Sequence, residues 1–163
     1  MGLSIHYSGR LKNPALLPEL IAEVKDIAEV YEWKYHVFEQ QFPEGRLTGN
    51  SHDGNLYGIS FSPPECEAVW LCFLSNRRMS GPANLLFHDP DDTDSEDLNL
   101  YTLSVKTQFA GMGIHRIIIH LLRHLQEKYL ADFELQDEGH HWETGDVELL
   151  RTTFARYTTF WIK

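Results

Sequence analysis

From Leu17 to Tyr31 apolar side chains return every three or four positions, at Leu17, Leu20, Ile21, Val24, Ile27, Ala28 and Tyr31. Glu19, Glu23, Asp26 and Glu29 take the opposite side. That spacing predicts an amphipathic helix lying on a core. Pro18 suits the first helical position, where its missing N–H costs nothing. After Gly113 a second stripe runs through Ile114, Ile117, Ile118, Leu121, Leu122, Leu125 and Tyr129 and predicts a second helix. Val147, Leu150, Phe154 and Tyr157 predict a third, shorter one, with Asp146 as its N-cap.

Elsewhere the period is two. Leu3 to Leu11 alternates as a strand, and Trp33 to Glu39 reads as another. "LYGISFS" and "AVWLCFLS" are two more, joined by "PPECE", which suggests a hairpin. Residues 76 to 99 read as a long polar loop. Leu100 to Phe109 alternates most cleanly: Tyr101, Leu103, Val105, Thr107 and Phe109 point one way, Thr102, Ser104, Lys106 and Gln108 the other. One buried and one polar face is the mark of an antiparallel sheet. "ADFELQ" reads as a short strand before the last helix.

The order is β-α-β-β-β-β-α with a strand–helix tail. Consecutive strands, rather than strict strand–helix alternation, predict an α+β fold with an antiparallel sheet and helices on one face. Residues 1–163 read as a single domain. The order over residues 3 to 130 resembles that of the TATA-box-binding-protein-like folds, β-α-β4-α. Such a resemblance implies fold and carries no function.

Composition narrows the function classes. Apolar residues are 42% and aromatics 12%, enough for a folded core, and the formal net charge is -10. A chain this acidic has no electrostatic reason to approach nucleic acid or an anionic membrane. The basic DNA-facing surface of the resembling folds is therefore not expected here. A basic protein partner or a small ligand fits the charge. No apolar run is long enough to span a bilayer, and "MGLSIHYSGRLKN" has no secretion-signal pattern. Position 6 holds His6, where a myristoylation signal needs Ser or Thr. Cys66 and Cys72 in apolar surroundings are expected to be buried reduced thiols of a cytoplasmic protein.

Several segments carry candidate chemistry. "DPDDTDSED" (residues 89 to 97) is acidic, but a calcium loop fails at Asp97, where glycine is needed, and at Leu103, where glutamate is needed. "FAGMGIH" stands between a strand and a helix, and its two glycines read first as a tight turn; the alternative is an anion-binding turn with Lys106 and His115 as contacts. Arg116 replaces the third glycine of the dinucleotide fingerprint. His120 and His124 are four apart, yet Leu121 stands where the zinc-protease pattern has glutamate. A solvent-facing helix side is the preferred reading of them.

The densest segment is "DEGHHWETGD", residues 137 to 146. One reading is a glycine turn leading into the last helix, with Trp142 against the core. The other is a site: His140 or His141 as metal ligand or acid, Glu138 or Glu143 as general base. Adjacent histidines splay apart when extended, so one of them with Asp137 or Glu143 and a remote histidine makes the better metal set.

"KTQ-A" at a strand end, then a helix, then "DEG…WET-D" before a final helix resembles a pattern in bacterial conserved proteins of unknown function. The resemblance covers residues 105 to 150. It implies that Lys106, Thr107, Gln108, Asp137, Glu138, Gly139, Trp142, Glu143, Thr144 and Asp146 belong together and implies no activity. Lys106, Gln108, His115, Asp137 and Trp142 are then candidate ligand contacts of one cleft.

Two functions follow. The first is a non-enzymatic binding or interaction protein with an acidic surface, immunity- or antitoxin-like, using Asp91, Asp92, Asp94 and Asp97 against a basic partner. The second is a small-ligand-binding or metal-dependent enzyme built on that cleft, with Lys106 holding an anionic substrate group. No cofactor is indicated by any motif. An exposed sheet edge would permit a dimer.

Overall fold

The first alternation forms β1 (Ser4–Leu11), whose Ile5, Tyr7 and Leu11 are buried. A computed structural model describes residues 3–44, 51–88 and 98–162. After a 3-10 turn at Pro14–Leu16 comes α1 (Leu17–Val30), with Pro in its first turn and Leu17, Leu20, Ile21, Val24 and Ala28 buried. Then follow β2 (Lys34–Val37), β3 (Tyr57–Ser62) and β4 (Val69–Phe73). Two short helices, α2 (Pro82–Phe87) and α3 (Leu98–Tyr101), precede β5 (Leu103–Lys106). The chain ends with α4 (Met112–Tyr129), β6 (Leu130–Asp137), the single turn α5 (His141–Thr144) and α6 (Val147–Ile162).

The fold is α+β and its strands pair antiparallel. They divide between two three-stranded sheets, β5-β1-β6 and β2-β3-β4. The expected hairpin through "PPECE" is the β3–β4 pair. Tyr7 on β1 joins the sheets: its hydroxyl donates to the Trp70 carbonyl at 2.8 Å and accepts from the Trp70 N–H at 3.1 Å. Burial pushes the Tyr7 phenol far above its ordinary pKa, so it stays a neutral donor. One apolar core runs from both sheets to α1 and α4, through residues such as Val24, Phe61, Leu71, Val105, Leu122 and Tyr129. On the outside, Glu23 of α1 accepts from His124 (2.5 Å), Lys128 (3.2 Å) and the Tyr129 hydroxyl of α4.

Two segments depart from the pattern reading. Of Leu100 to Phe109, only Leu103–Lys106 is strand. Leu100 and Tyr101 belong to a helical turn and pack with Leu74 in a separate small cluster. At the other end the chain turns after Thr107, where Ala110 N–H bonds the Thr107 carbonyl, so Phe109 points outward at 61% exposure. The alternation continues through both ends because a turn and a helix start also place neighbours on opposite sides. The loop read at residues 76 to 99 contains α2, begun by Pro82. Asp91, Asp92, Asp94 and Asp97 lie outside the described residues. No described helix is long and apolar enough to cross a membrane.

Candidate functional site

Because β1 lies between β5 and β6, the ends of both arrive at the same place. Lys106 pairs with Ser4, and Asp137 pairs with Ile5. "KTQ" and the acidic decapeptide therefore meet across the start of β1. Gln108 Oε1 accepts the Leu3 N–H at 3.2 Å, and Glu138 Oε1 accepts the Ser4 N–H at 2.8 Å. Both side chains satisfy a strand end that would otherwise leave backbone donors unpaired. Glu138 also lies 3.6 Å from His6 Nε2. Lys106 holds Glu67 through its backbone N–H (2.7 Å), and its ammonium lies over the Phe109 ring at 5.4 Å.

His115, expected as an anion contact at the helix start, is instead wholly buried. Its Nδ1 lies 2.7 Å from Thr107 Oγ1, and its Nε2 lies 2.8 Å from Asp137 Oδ1. Asp137 accepts three further bonds: from Gly139 N–H at 2.7 Å, His141 N–H at 2.8 Å and Trp142 N–H at 2.9 Å. The carboxylate thus ties the end of β6 to α4 and caps the free N–H groups of α5 from outside. Burial alone would raise its pKa. The His115 hydrogen bond and charge, with the backbone N–H groups, outweigh burial and hold it below the usual carboxylate value. Gly139 packs directly on this node, and a Cβ there would stand 2.9 Å from His115 Nε2 and 2.8 Å from Leu150 Cδ1.

Carboxylate, imidazole and hydroxyl in this order look like a hydrolase relay. A nucleophile must meet its substrate, and Thr107 is fully buried, with its hydroxyl also facing the Leu3 carbonyl at 3.5 Å. What the arrangement does is hold the turn.

The two histidines of the decapeptide part company. His140 has φ 58° and faces outward, 3.6 Å from Glu143, whereas His141 is buried at 5% exposure. Among the described residues no group of three His, Cys, Asp or Glu side chains is placed to hold a metal ion. Trp142 packs on Phe133 (5.9 Å between ring centres) and under the Arg123 guanidinium (4.1 Å), which also donates to the Trp142 carbonyl. Asp146 caps α6 as its position suggested, accepting from Glu148 N–H at 3.0 Å and Leu149 N–H at 3.1 Å. Cys66 is half-buried, and burial with the nearby Glu67 pushes its thiol up to about 11.

A scan against protein-family models and searches of curated proteins and of solved structures each find no match.

One grouping was not visible in the sequence. His120 and His124 turn to different partners: His124 to Glu23, His120 to the ring of His141, 6.1 Å away. Arg116, one turn before His120, brings its positive charge close to the same ring. Burial first, then this charge, holds the His141 imidazole below its ordinary pKa. The spacing of Arg116 and His120 marks one face of α4, but nothing local to the sequence puts His141 against that face.

Proposed function

We propose that the protein is a non-enzymatic interaction protein that offers an acidic surface to a basic partner, in the manner of an immunity protein or an antitoxin. The observation that carries this reading is a patch at the C-terminal end of α1. Val30 is 79% exposed, Tyr31 48% and Tyr35 38%. Exposed Asp26, Glu29 and Glu32 accompany them along the chain, with exposed Lys25 and Lys34 on either side. Glu29 accepts the Tyr35 hydroxyl at 2.8 Å, and Tyr31 stacks on Trp33 at 4.5 Å, so both aromatics are held in place. Single exposed apolar residues are ordinary; three in one short stretch beside Asp26, Glu29 and Glu32 match an interface with an apolar centre and a charged rim. A partner with Lys or Arg around an aliphatic or aromatic anchor complements it. Beside the patch, β2 is the edge of its sheet among the described residues, a place where a further strand could pair.

The engagement of the decapeptide's carboxylates supports the same reading. Asp137 and Thr107 are closed off, Glu138 is tied to Ser4, and Glu143 pairs with His140. The test is capture from native lysate by wild-type protein and by a Glu29→Lys/Val30→Ser variant of unchanged far-ultraviolet dichroism. The proposal expects a basic protein captured by the wild type, more than about tenfold less by the variant, and less as salt rises. Equal capture by both proteins, or capture of no basic protein, contradicts it.

A further inference from the structure

The surface between α4 and α5 runs against the charge of the molecule. Arg116, His120 and Arg123 project from α4, and His141 closes the inner side from α5. Arg123 is engaged by Trp142. The other three are not matched by acceptors. Arg116 makes no hydrogen bond or ion pair with any described residue, and its Nε is buried without a partner. His141 Nδ1 is likewise buried and unpartnered on a side chain 95% out of solvent, given its 5% exposure. His120 is exposed and meets only the edge of the His141 ring. The neighbouring carboxylate cannot serve them: Asp137 already receives His115 and three backbone N–H groups.

Buried polar atoms are nearly always matched, so an unmatched guanidinium N–H of Arg116, with an unmatched imidazole nitrogen of His141 on the same surface, points to a missing acceptor. The groups present define what that acceptor is. A guanidinium offers a planar fork of N–H donors suited to two oxygens, and imidazoles add donors of adjustable protonation. The low-dielectric wall formed by His141 strengthens any charge–charge attraction there. We propose that Arg116, His120 and His141 form a binding site for an oxyanion, the carboxylate, sulfate or phosphate group of a small ligand. Entry is from the solvent side of α4, where His120 is exposed and Arg116 half-buried. The anion contacts the Arg116 guanidinium, whose Nε lacks an acceptor, and His120, with the His141 ring behind them. This site is separate from the patch at the end of α1 and stands whether or not that patch binds a partner.

Isothermal titration of the full chain with inorganic phosphate, sulfate and acetate, each against chloride at equal ionic strength, tests the proposal. Saturable binding of at least one oxyanion is expected. Arg116→Met keeps the apolar stem and should weaken binding about tenfold or more, the size of a lost charged hydrogen bond. His120→Gln, at an exposed position, should weaken it less. No heat beyond the chloride control for all three anions overturns the proposal. So does binding that Arg116→Met leaves unchanged. A preference for phosphate and sulfate over acetate would identify a tetrahedral group, and the reverse order a carboxylate.

Discussion

His115 and His141 both border the turn that begins at Asp137, and both are buried, yet their surroundings are opposite. His115 has Thr107 at one ring nitrogen and Asp137 at the other, at 2.7 and 2.8 Å. His141 has an unpartnered Nδ1, and beside it stand Arg116 and His120. The first node is complete within the chain, and its chemistry is used up in holding β1, β6, α4 and α5 together. The second is incomplete within the chain. A catalytic-looking set of residue types therefore reports on function only through what its atoms lack, since satisfied buried polar groups act as structure.

The largest effect is expected from removing the acceptor of the complete node. Asp137→Ala leaves the buried His115 nitrogen and three N–H groups without a partner. Loss of one member of such a buried pair costs about 3–5 kcal/mol. In a chain of this size that lowers the Tm by roughly 10 °C, measurable by thermal unfolding followed by circular dichroism. A change below about 1 kcal/mol would mean the node is not a structural tie.

A smaller effect is expected from pH. Asp137 is held below its usual carboxylate range, so the stability it lends is complete above about pH 4 and is lost as pH falls through its lower folded value. The His141 imidazole is also held below its ordinary value, so the unfolded chain takes up that proton first. Its contribution is complete above about pH 6.5 and declines as pH falls toward the folded value. The charges of Arg116, Asp137, His120 and His115 act on this ring and set the size of the effect. Denaturant unfolding of His141→Gln should show a flatter stability curve between about pH 7 and 5 and an unchanged fall at lower pH. Identical curves for the two proteins would remove His141 from the account.

Much of the architecture was legible because each long element carries its own period. The stripes of α1 and α4 and the alternation of β1 and β6 gave the order of the main elements and the α+β class. Asp146 could be placed as a cap from its position before Val147 alone. The ends of Leu100 to Phe109 misled, since alternation over two or three residues is shared by strands, turns and helix starts. The meeting of "KTQ" with the decapeptide was suggested by resemblance, but what they do to each other was not. That depends on β1 standing between β5 and β6, a pairing across more than a hundred positions for Ser4 and Lys106. The partners of His115 and His141 are set by the same long-range pairing, which is why two histidines of similar local context acquire different roles.

The most direct test of that difference is a long-range proton–nitrogen NMR spectrum of the histidine rings during separate titrations with inorganic phosphate, sulfate and acetate. With at least one of these anions the ring nitrogens of His120 and His141 should shift together and saturate while those of His115 stay in place. Shifts of His115 as large as those of His141, or no shift of His120 and His141 with any of the three anions, would rule this difference out.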